Sequence, residues 1–225
     1  MIFDFDGVIV DSEPVHLVCF QQVLAGAGVE LNREDYYAKY LGFDDHDCFL
    51  AALRKAGQQA SEERIADMIR AKSRLVRQTY ARGVTPLPGA AELVRSAADA
   101  KVPLAVCSGA LREEIEQAAR AVGVLDCFAA IVAARDVKHG KPDPEGYRQA
   151  LERLREATGR HLCAGAGVVV EDSPAGIDAA KAAGLQVLAV TNSYAAEALS
   201  RADRIVRSLV DVGLEDVEAI AAGSP

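Results

Sequence analysis

The strongest constraint on this fold is a change of sequence period. Met1 to Phe5 reads as a short apolar strand, which Asp6-Gly7 ends. No second strand follows for a long stretch. From Pro14 to about Ala81 the pattern is helical throughout. Val15, Val18, Cys19, Gln22 and Val23 recur at helical spacing, and Gly26 and Gly28 close that helix. Leu41-Gly42-Phe43 breaks a short helix, and Asp44 or Asp45 can cap the next, which runs to Gly57. Ser61 caps a longer helix towards Tyr80, with Glu62 and Glu63 in its first turn.

Beyond Pro86 strands return and alternate with helices. Val102–Cys107, Ala129–Ala133, Gly167–Val170, Leu185–Val190 and Arg204–Val206 read as strands. Leu111–Val122, Pro144–Thr158 and Pro174–Ala183 read as helices, with a short and a final helix to follow. Continuously apolar strands alternating with helices imply a parallel sheet covered on both faces. The fold class is therefore α/β, a Rossmann-like parallel-sheet core with an inserted all-helical domain. Residues 1–12 and 83–225 form the core and 13–82 the insertion, and the two connections suit a hinged cap.

Composition narrows the function. The net charge is -8, and residues 13–82 carry ten basic and ten acidic side chains, so the whole excess lies in the core. An acidic balance argues against a large nucleic-acid footprint, which needs a basic face. No apolar run approaches the roughly 18 residues of a membrane span. The start has no basic segment with a cleavage site, so cytoplasmic residence is expected. Cys19, Cys48, Cys107, Cys127 and Cys163 are odd in number, form no close pairs, and three sit in apolar runs, which reads as buried free thiols in a reducing compartment.

Ligands of parallel α/β sheets bind at the carboxyl ends of the strands. Those ends carry Asp4-Phe5-Asp6-Gly7, then Cys107-Ser108-Gly109-Ala110, then Glu171-Asp172-Ser173, while His139-Gly140-Lys141-Pro142 precedes a helix. This set suits phosphoryl transfer. On a regular strand Asp4 and Asp6 share a face, so one can attack phosphorus while the other handles the leaving-group proton. Ser108 and neighbouring backbone amides can hydrogen-bond phosphoryl oxygens, and Lys141 can neutralise them. Gly7 and Gly109 let backbone approach a phosphate. Asp4 with Glu171 and Asp172 offers hard oxygen donors for Mg2+, and such crowded acids call for a cation.

Asp4-Phe5-Asp6-Gly7-Val8, followed by Asp11-Ser12-Glu13-Pro14-Val15-His16, resembles the haloacid dehalogenase superfamily. Ser108, Lys141 and Glu171-Asp172-Ser173-Pro174-Ala175-Gly176 match its later motifs in order, over essentially the whole chain. Within it the chain is similar to the branch of beta-phosphoglucomutase and its phosphatase relatives, which carry a helical cap. The resemblance implies an aspartyl-phosphate on Asp4, acid/base work by Asp6 and phosphate contacts from Ser108 and Lys141. It implies Mg2+ on Asp4, the Asp6 carbonyl, Glu171 and Asp172. Dehalogenases and phosphonate-cleaving relatives lack an Asp where Asp6 stands, so the resemblance implies a phosphate-ester enzyme and argues against those two chemistries. Only three residues precede Asp4, fewer than in the family's usual first strand, so that strand is expected to be short or the start trimmed.

Each motif alone has a plainer explanation: a turn, a strand-to-helix connection, a solvated lysine, a helix cap before proline. Their joint order at successive strand ends favours a site. The cap candidates are Glu13 and His16 past the first hinge, Lys39 and Gly42 in the loop where this branch sets specificity, and Lys72. Ordinary structural or solvated roles compete for each of them. The expected function is Mg2+-dependent hydrolysis of a small phosphate monoester, a sugar phosphate in particular. The expected partner is thus a small phosphorylated metabolite, with no nucleic acid or membrane, and the protein a monomer, with a dimer as alternative. The first rival is a sugar-phosphate mutase. Its specificity loop resembles Arg-x-x-Gly, and Lys39 replaces that arginine without offering a bidentate fork. The second rival is a non-catalytic binding protein on the same fold, which would not need Asp6.

Overall fold

The computed structural model describes residues 1–223. They group into two compact units: Met1–Asp11 with the chain from Val84 onward, and Ser12–Gly83.

The first unit is built on a six-stranded, all-parallel sheet of order β3-β2-β1-β4-β5-β6. Its strands are β1 (Ile2–Phe3), β2 (Ala105–Cys107), β3 (Ala130–Val132), β4 (Val168–Glu171), β5 (Gln186–Val190) and β6 (Arg204–Val206). β1 lies centrally, with Ile2 beside Ala105 on one side and Val169 on the other. The central strands are apolar throughout because both sheet faces are covered: Ile2, Phe3, Ala105, Val106, Val169 and Val170 are all buried. Order β2-β1-β4 puts the carboxyl ends of β1, β2 and β4 side by side.

The first strand is shorter than the expected Met1–Phe5. The Asp4 N–H still donates to the Val170 carbonyl at 2.9 Å, but at Phe5 the chain turns, and the amides of Val8, Ile9 and Val10 converge on the Phe5 carbonyl. A further helix, Ala90–Asp99, not evident from the sequence pattern, follows Gly89. Ala90, Ala91, Leu93, Val94 and Ala97 form its buried stripe. Gly89 starts it at φ +81°, where a Cβ would stand 2.2 Å from the backbone of Leu209 and Val210.

The second unit is wholly helical: α1 (Glu13–Gly26), α2 (Arg33–Asp35), α3 (Asp45–Lys55) and α4 (Glu62–Tyr80). α2 runs on into a wide turn, Tyr36–Tyr40, in which the Leu41 amide reaches the Tyr36 carbonyl. Side-chain caps fix the starts: Asn32 accepts from the Asp35 amide, Asp44 from Asp47 and Ser61 from Arg64. Of the two capping candidates for α3, Asp44 does the work. Leu17, Phe20, Leu24, Phe49, Leu53, Ile65 and Met68 make this unit's core, each contributing about 1.5–3 kcal/mol of burial. Phe20 and Phe49 meet edge-to-face with centroids 5.0 Å apart. Val18, expected on the apolar face of α1, is exposed; the buried stripe is set by Leu17, Phe20 and Leu24, one turn apart.

Remaining helices of the first unit are α5 (Ala90–Asp99), α6 (Arg112–Val122), α7 (Glu145–Thr158), α8 (Pro174–Ala182) and α9 (Leu214–Ala221). All five cysteines are free, but the expectation of burial holds for Cys19, Cys48 and Cys107 only. Cys127 is half-buried and Cys163 exposed, because both sit in short connecting segments outside the apolar runs. No helix among the described residues is long and apolar enough to cross a membrane.

Candidate active site

The site starts in the turn after β1. Asp4 is the last residue held by the ladder, and its side chain is buried. Asp6 is brought round by the turn, not by strand alternation. Its Oδ2 accepts from Ser108 Oγ at 3.1 Å. Gly7, which follows Asp6, takes φ +74°, a conformation that side chains disfavour. The contacts are stricter still: a Cβ on Gly7 would lie 2.0 Å from Asp172 Oδ2.

Ser108 closes β2. Its own amide is spent on the sheet, donating to the Val132 carbonyl at 3.0 Å, and its Oγ accepts from the Ala110 amide at 3.0 Å. The hydroxyl is thus aimed by backbone towards Asp6. Gly109 is exposed, and a Cβ there would meet nothing within 4 Å, so no crowding demands glycine at that position.

Lys141 reaches from the loop before α7 and bridges two acids, Asp4 Oδ1 at 2.7 Å and Glu171 Oε1 at 2.6 Å. Burial works against its charge, but Asp4 and Glu171 overcome this and hold its pKa well above the usual lysine range. Glu171, at the end of β4, is fully buried and has both oxygens occupied. Oε1 also accepts from the buried Tyr147 hydroxyl at 2.9 Å. Oε2 accepts from the amides of Asp172 and Ser173 at 2.8 and 2.9 Å, and from Ser173 Oγ at 2.9 Å. Burial opposes its ionisation, yet Lys141 and these donors keep its pKa below the ordinary carboxylate value.

Asp4 and Asp172 are less well compensated. Burial raises Asp4, Lys141 pulls it down, and Glu171 and Asp6 raise it again, leaving it at about 7. Asp172 is pushed well above its usual value by burial and by the charges of Glu171 and Asp4. Carboxylate oxygens of Asp4, Glu171 and Asp172 lie within 4.8 Å of one another. One lysine serves three buried acids. Asp4 Oδ2 and Asp172 Oδ1 have no hydrogen bond among the described residues, whereas an ion would have to share the oxygens of Glu171 with the donors already on them. Hard oxygen donors with surplus negative charge fit Mg2+.

Asp4, Asp6, Gly7, Ser108, Lys141, Glu171 and Asp172 are therefore assembled in one place, with Gly109 and Ala110 beside Ser108. Of the candidates in the helical unit, Glu13, Lys39 and Lys72 have partners within that unit. Glu13 Oε2 accepts from the Tyr36 hydroxyl at 2.8 Å. His16 lies half-buried in α1. Lys39 pairs with Asp35 one turn back at 2.5 Å, and Gly42 takes φ +83° in the turn that follows. Lys72 is buried against the Phe20 ring, 4.2 Å from its centroid, and pairs with Asp45.

Tyr147, Asn192 and Ser193 stand outside the motifs read from the sequence, and Ser173 appears there only as a motif residue with no role of its own. Tyr147 and Ser173 hold Glu171. Ser193 Oγ donates to Asp172 Oδ2, and Asn192 Nδ2 donates to the Gly7 carbonyl at 2.7 Å. The strand-end rule applied to Thr191-Asn192-Ser193 after β5 as well, but these residues carry no charge to draw attention.

The family description "Haloacid dehalogenase-like hydrolase" matches residues 1–190. The chain is 29% identical to validoxylamine A 7'-phosphate phosphatase of Streptomyces hygroscopicus subsp. limoneus, covering 94% of each protein. It is 30% identical to hexitol phosphatase A of Escherichia coli, covering 94% of this chain and 91% of that one. A crystal structure of CbbY from Rhodobacter sphaeroides, in complex with xylulose-(1,5)bisphosphate, superposes with a TM-score of 0.84 at 28% identity, covering 96% of this chain and 97% of the other. The match over most of the chain, the shared fold and the order of the site residues agree: the chain belongs to the haloacid dehalogenase-like hydrolases.

Proposed function

We propose that this protein is a Mg2+-dependent phosphatase that hydrolyses a small phosphate monoester, a sugar or polyol phosphate, through an aspartyl-phosphate on Asp4. The observation that carries the reading is the pairing of a buried Asp4 with Lys141, beside a second acid, Asp6, that is separately held by Ser108. One carboxylate is tied to a cation and the other to a hydroxyl, the division of labour that nucleophile and acid/base require. By their names, one phosphatase relative acts on validoxylamine A 7'-phosphate and another is a hexitol phosphatase, which supports the substrate class.

In this reading Asp4 attacks phosphorus and Asp6 delivers a proton to the leaving oxygen. Asp6 then takes a proton from the water that cleaves the acyl phosphate. Ser108 Oγ and Lys141 face the phosphoryl oxygens. Mg2+, held by Asp4 and Asp172 with Glu171 and the Asp6 carbonyl, would neutralise the acids and the phosphate together. Hydrolysis is favoured over mutase chemistry by Lys39, whose charge is already paired with Asp35 along its own helix. A mutase needs that position for a second phosphate.

The test is phosphate release from a panel of sugar and polyol mono- and bisphosphates, with and without Mg2+, beside Asp4→Asn. Mg2+-dependent release that vanishes in the variant is expected. Release that persists in Asp4→Asn would refute the covalent route, and isomerisation without release would favour the mutase.

A further inference from the structure

We infer that Ser193 is a positioning residue for the divalent cation, acting through Asp172. This deepens the phosphatase reading and rests on its metal site. Ser193 follows β5, the strand beside β4, in which Ala189 pairs with Glu171. That register brings the segment after β5 alongside Asp172. Ser193 Oγ donates to Asp172 Oδ2, and Asp172 Oδ1 has no hydrogen bond among the described residues. Gly7 packs against both groups. A Cβ on it would lie 2.0 Å from Asp172 Oδ2 and 2.9 Å from Ser193 Oγ. The adjacent Asn192 ties the Gly7 carbonyl from the same segment at 2.7 Å. The segment after β5 thus holds both the turn that carries Asp4 and one oxygen of Asp172.

The choice of a hydroxyl has a physical reason. Lys141 spans Asp4 and Glu171 but makes no hydrogen bond to Asp172. A second ammonium on Asp172 would neutralise it and compete with a cation. A hydroxyl fixes the carboxylate's rotation and leaves its charge available. Partners of this kind, behind a metal-binding side chain, set affinity by restricting the ligand.

The experiment is calorimetric titration of Mg2+ into metal-free wild type, Ser193→Ala and Ser193→Thr, with the metal-free melting temperature of each. Loss of the hydroxyl should weaken Mg2+ binding by about 10-fold or more, the range for such partners. Ser193→Thr should restore it, and the metal-free melting temperature should stay near that of wild type. Should Ser193→Ala not fold, Ser193→Cys, of similar size with a weak donor, is expected to show the same weakening. Wild-type affinity in a folded Ser193→Ala or Ser193→Cys would overturn the inference and leave the phosphatase reading standing. No Mg2+ binding by wild type would overturn both.

Discussion

Gly176 sets two effects against each other, and Gly176→Ala measures which wins. The residue lies in the first turn of α8, where its amide donates to Ser173 Oγ at 3.1 Å. Helix propensity alone favours alanine by about 0.5–1 kcal/mol. Against this, a Cβ would stand 1.6 Å from Glu171 Oε1 and 2.0 Å from its Cδ. The carboxylate cannot swing away freely, since it is fully buried and accepts from Lys141, Tyr147, Ser173 and two backbone amides. Moving it by more than an ångström breaks at least two of those bonds, each worth about 1.5–3 kcal/mol to a charged acceptor. After the propensity gain the net loss is about 2–5 kcal/mol. For a chain of this size that lowers Tm by about 5–15 °C. Thermal unfolding followed by circular dichroism reads it, with Gly26→Ala as control, because nothing lies within 4 Å of a Cβ at Gly26. A Gly176→Ala protein as stable as wild type would refute the claim that Glu171 is immobilised.

Asp136 accepts from Arg112, Arg153 and the Ala133 amide, and despite burial these partners hold its pKa below the usual value. Its stabilisation is fully present above the unfolded carboxylate pKa and is lost as pH falls through the lowered folded value. Asp136→Asn should therefore cost about 1–3 kcal/mol at pH 7 in urea unfolding, with the gap to wild type closing below about pH 4. In the helical unit, Asp45→Ala strands a buried Lys72, whereas Lys72→Met leaves only a partly exposed Asp45. The first should destabilise by about 2 kcal/mol more than the second in the same assay, and equal losses would count against the pair. Thiol labelling followed by mass spectrometry should mark Cys163 first, Cys127 more slowly, and Cys19, Cys48 and Cys107 only on unfolding.

Strand ends and motif order were enough to locate Asp4, Asp6, Ser108, Lys141, Glu171 and Asp172, because charged groups at the edge of an apolar sheet stand out against their surroundings. The means by which they meet was less legible. Asp6 reaches Ser108 through a turn closed on the Phe5 carbonyl, not through strand pleating, and turn closure leaves little trace in hydropathy. Tyr147 and Ser193 read as one helix residue and one loop residue; their importance comes from contacts with Glu171 and Asp172, far from them in sequence. Ala90–Asp99 is hard to read from sequence because its stripe is largely alanine, a weak apolar signal. In the helical unit the caps were readable at Ser61 and Asp44, whereas the partners of Lys39 and Lys72 depended on packing that spacing alone does not reveal.

The central place of β1 also governs how the chain can assemble. Ile2 precedes the whole helical unit in the sequence, yet its neighbours are Ala105 and Val169. The helical core, from Leu17 to Met68, draws only on residues that precede both neighbours in the sequence. Pairings so distant in sequence carry a large loop-closure cost and slow the folding they complete. On a ribosome the helical unit can therefore fold while the first strand waits, and the bay that collects Asp4, Lys141 and Asp172 closes only after β4 has emerged. A translation pause between Gly83 and Val168 should accumulate a nascent chain with a protease-resistant helical segment and an unformed sheet.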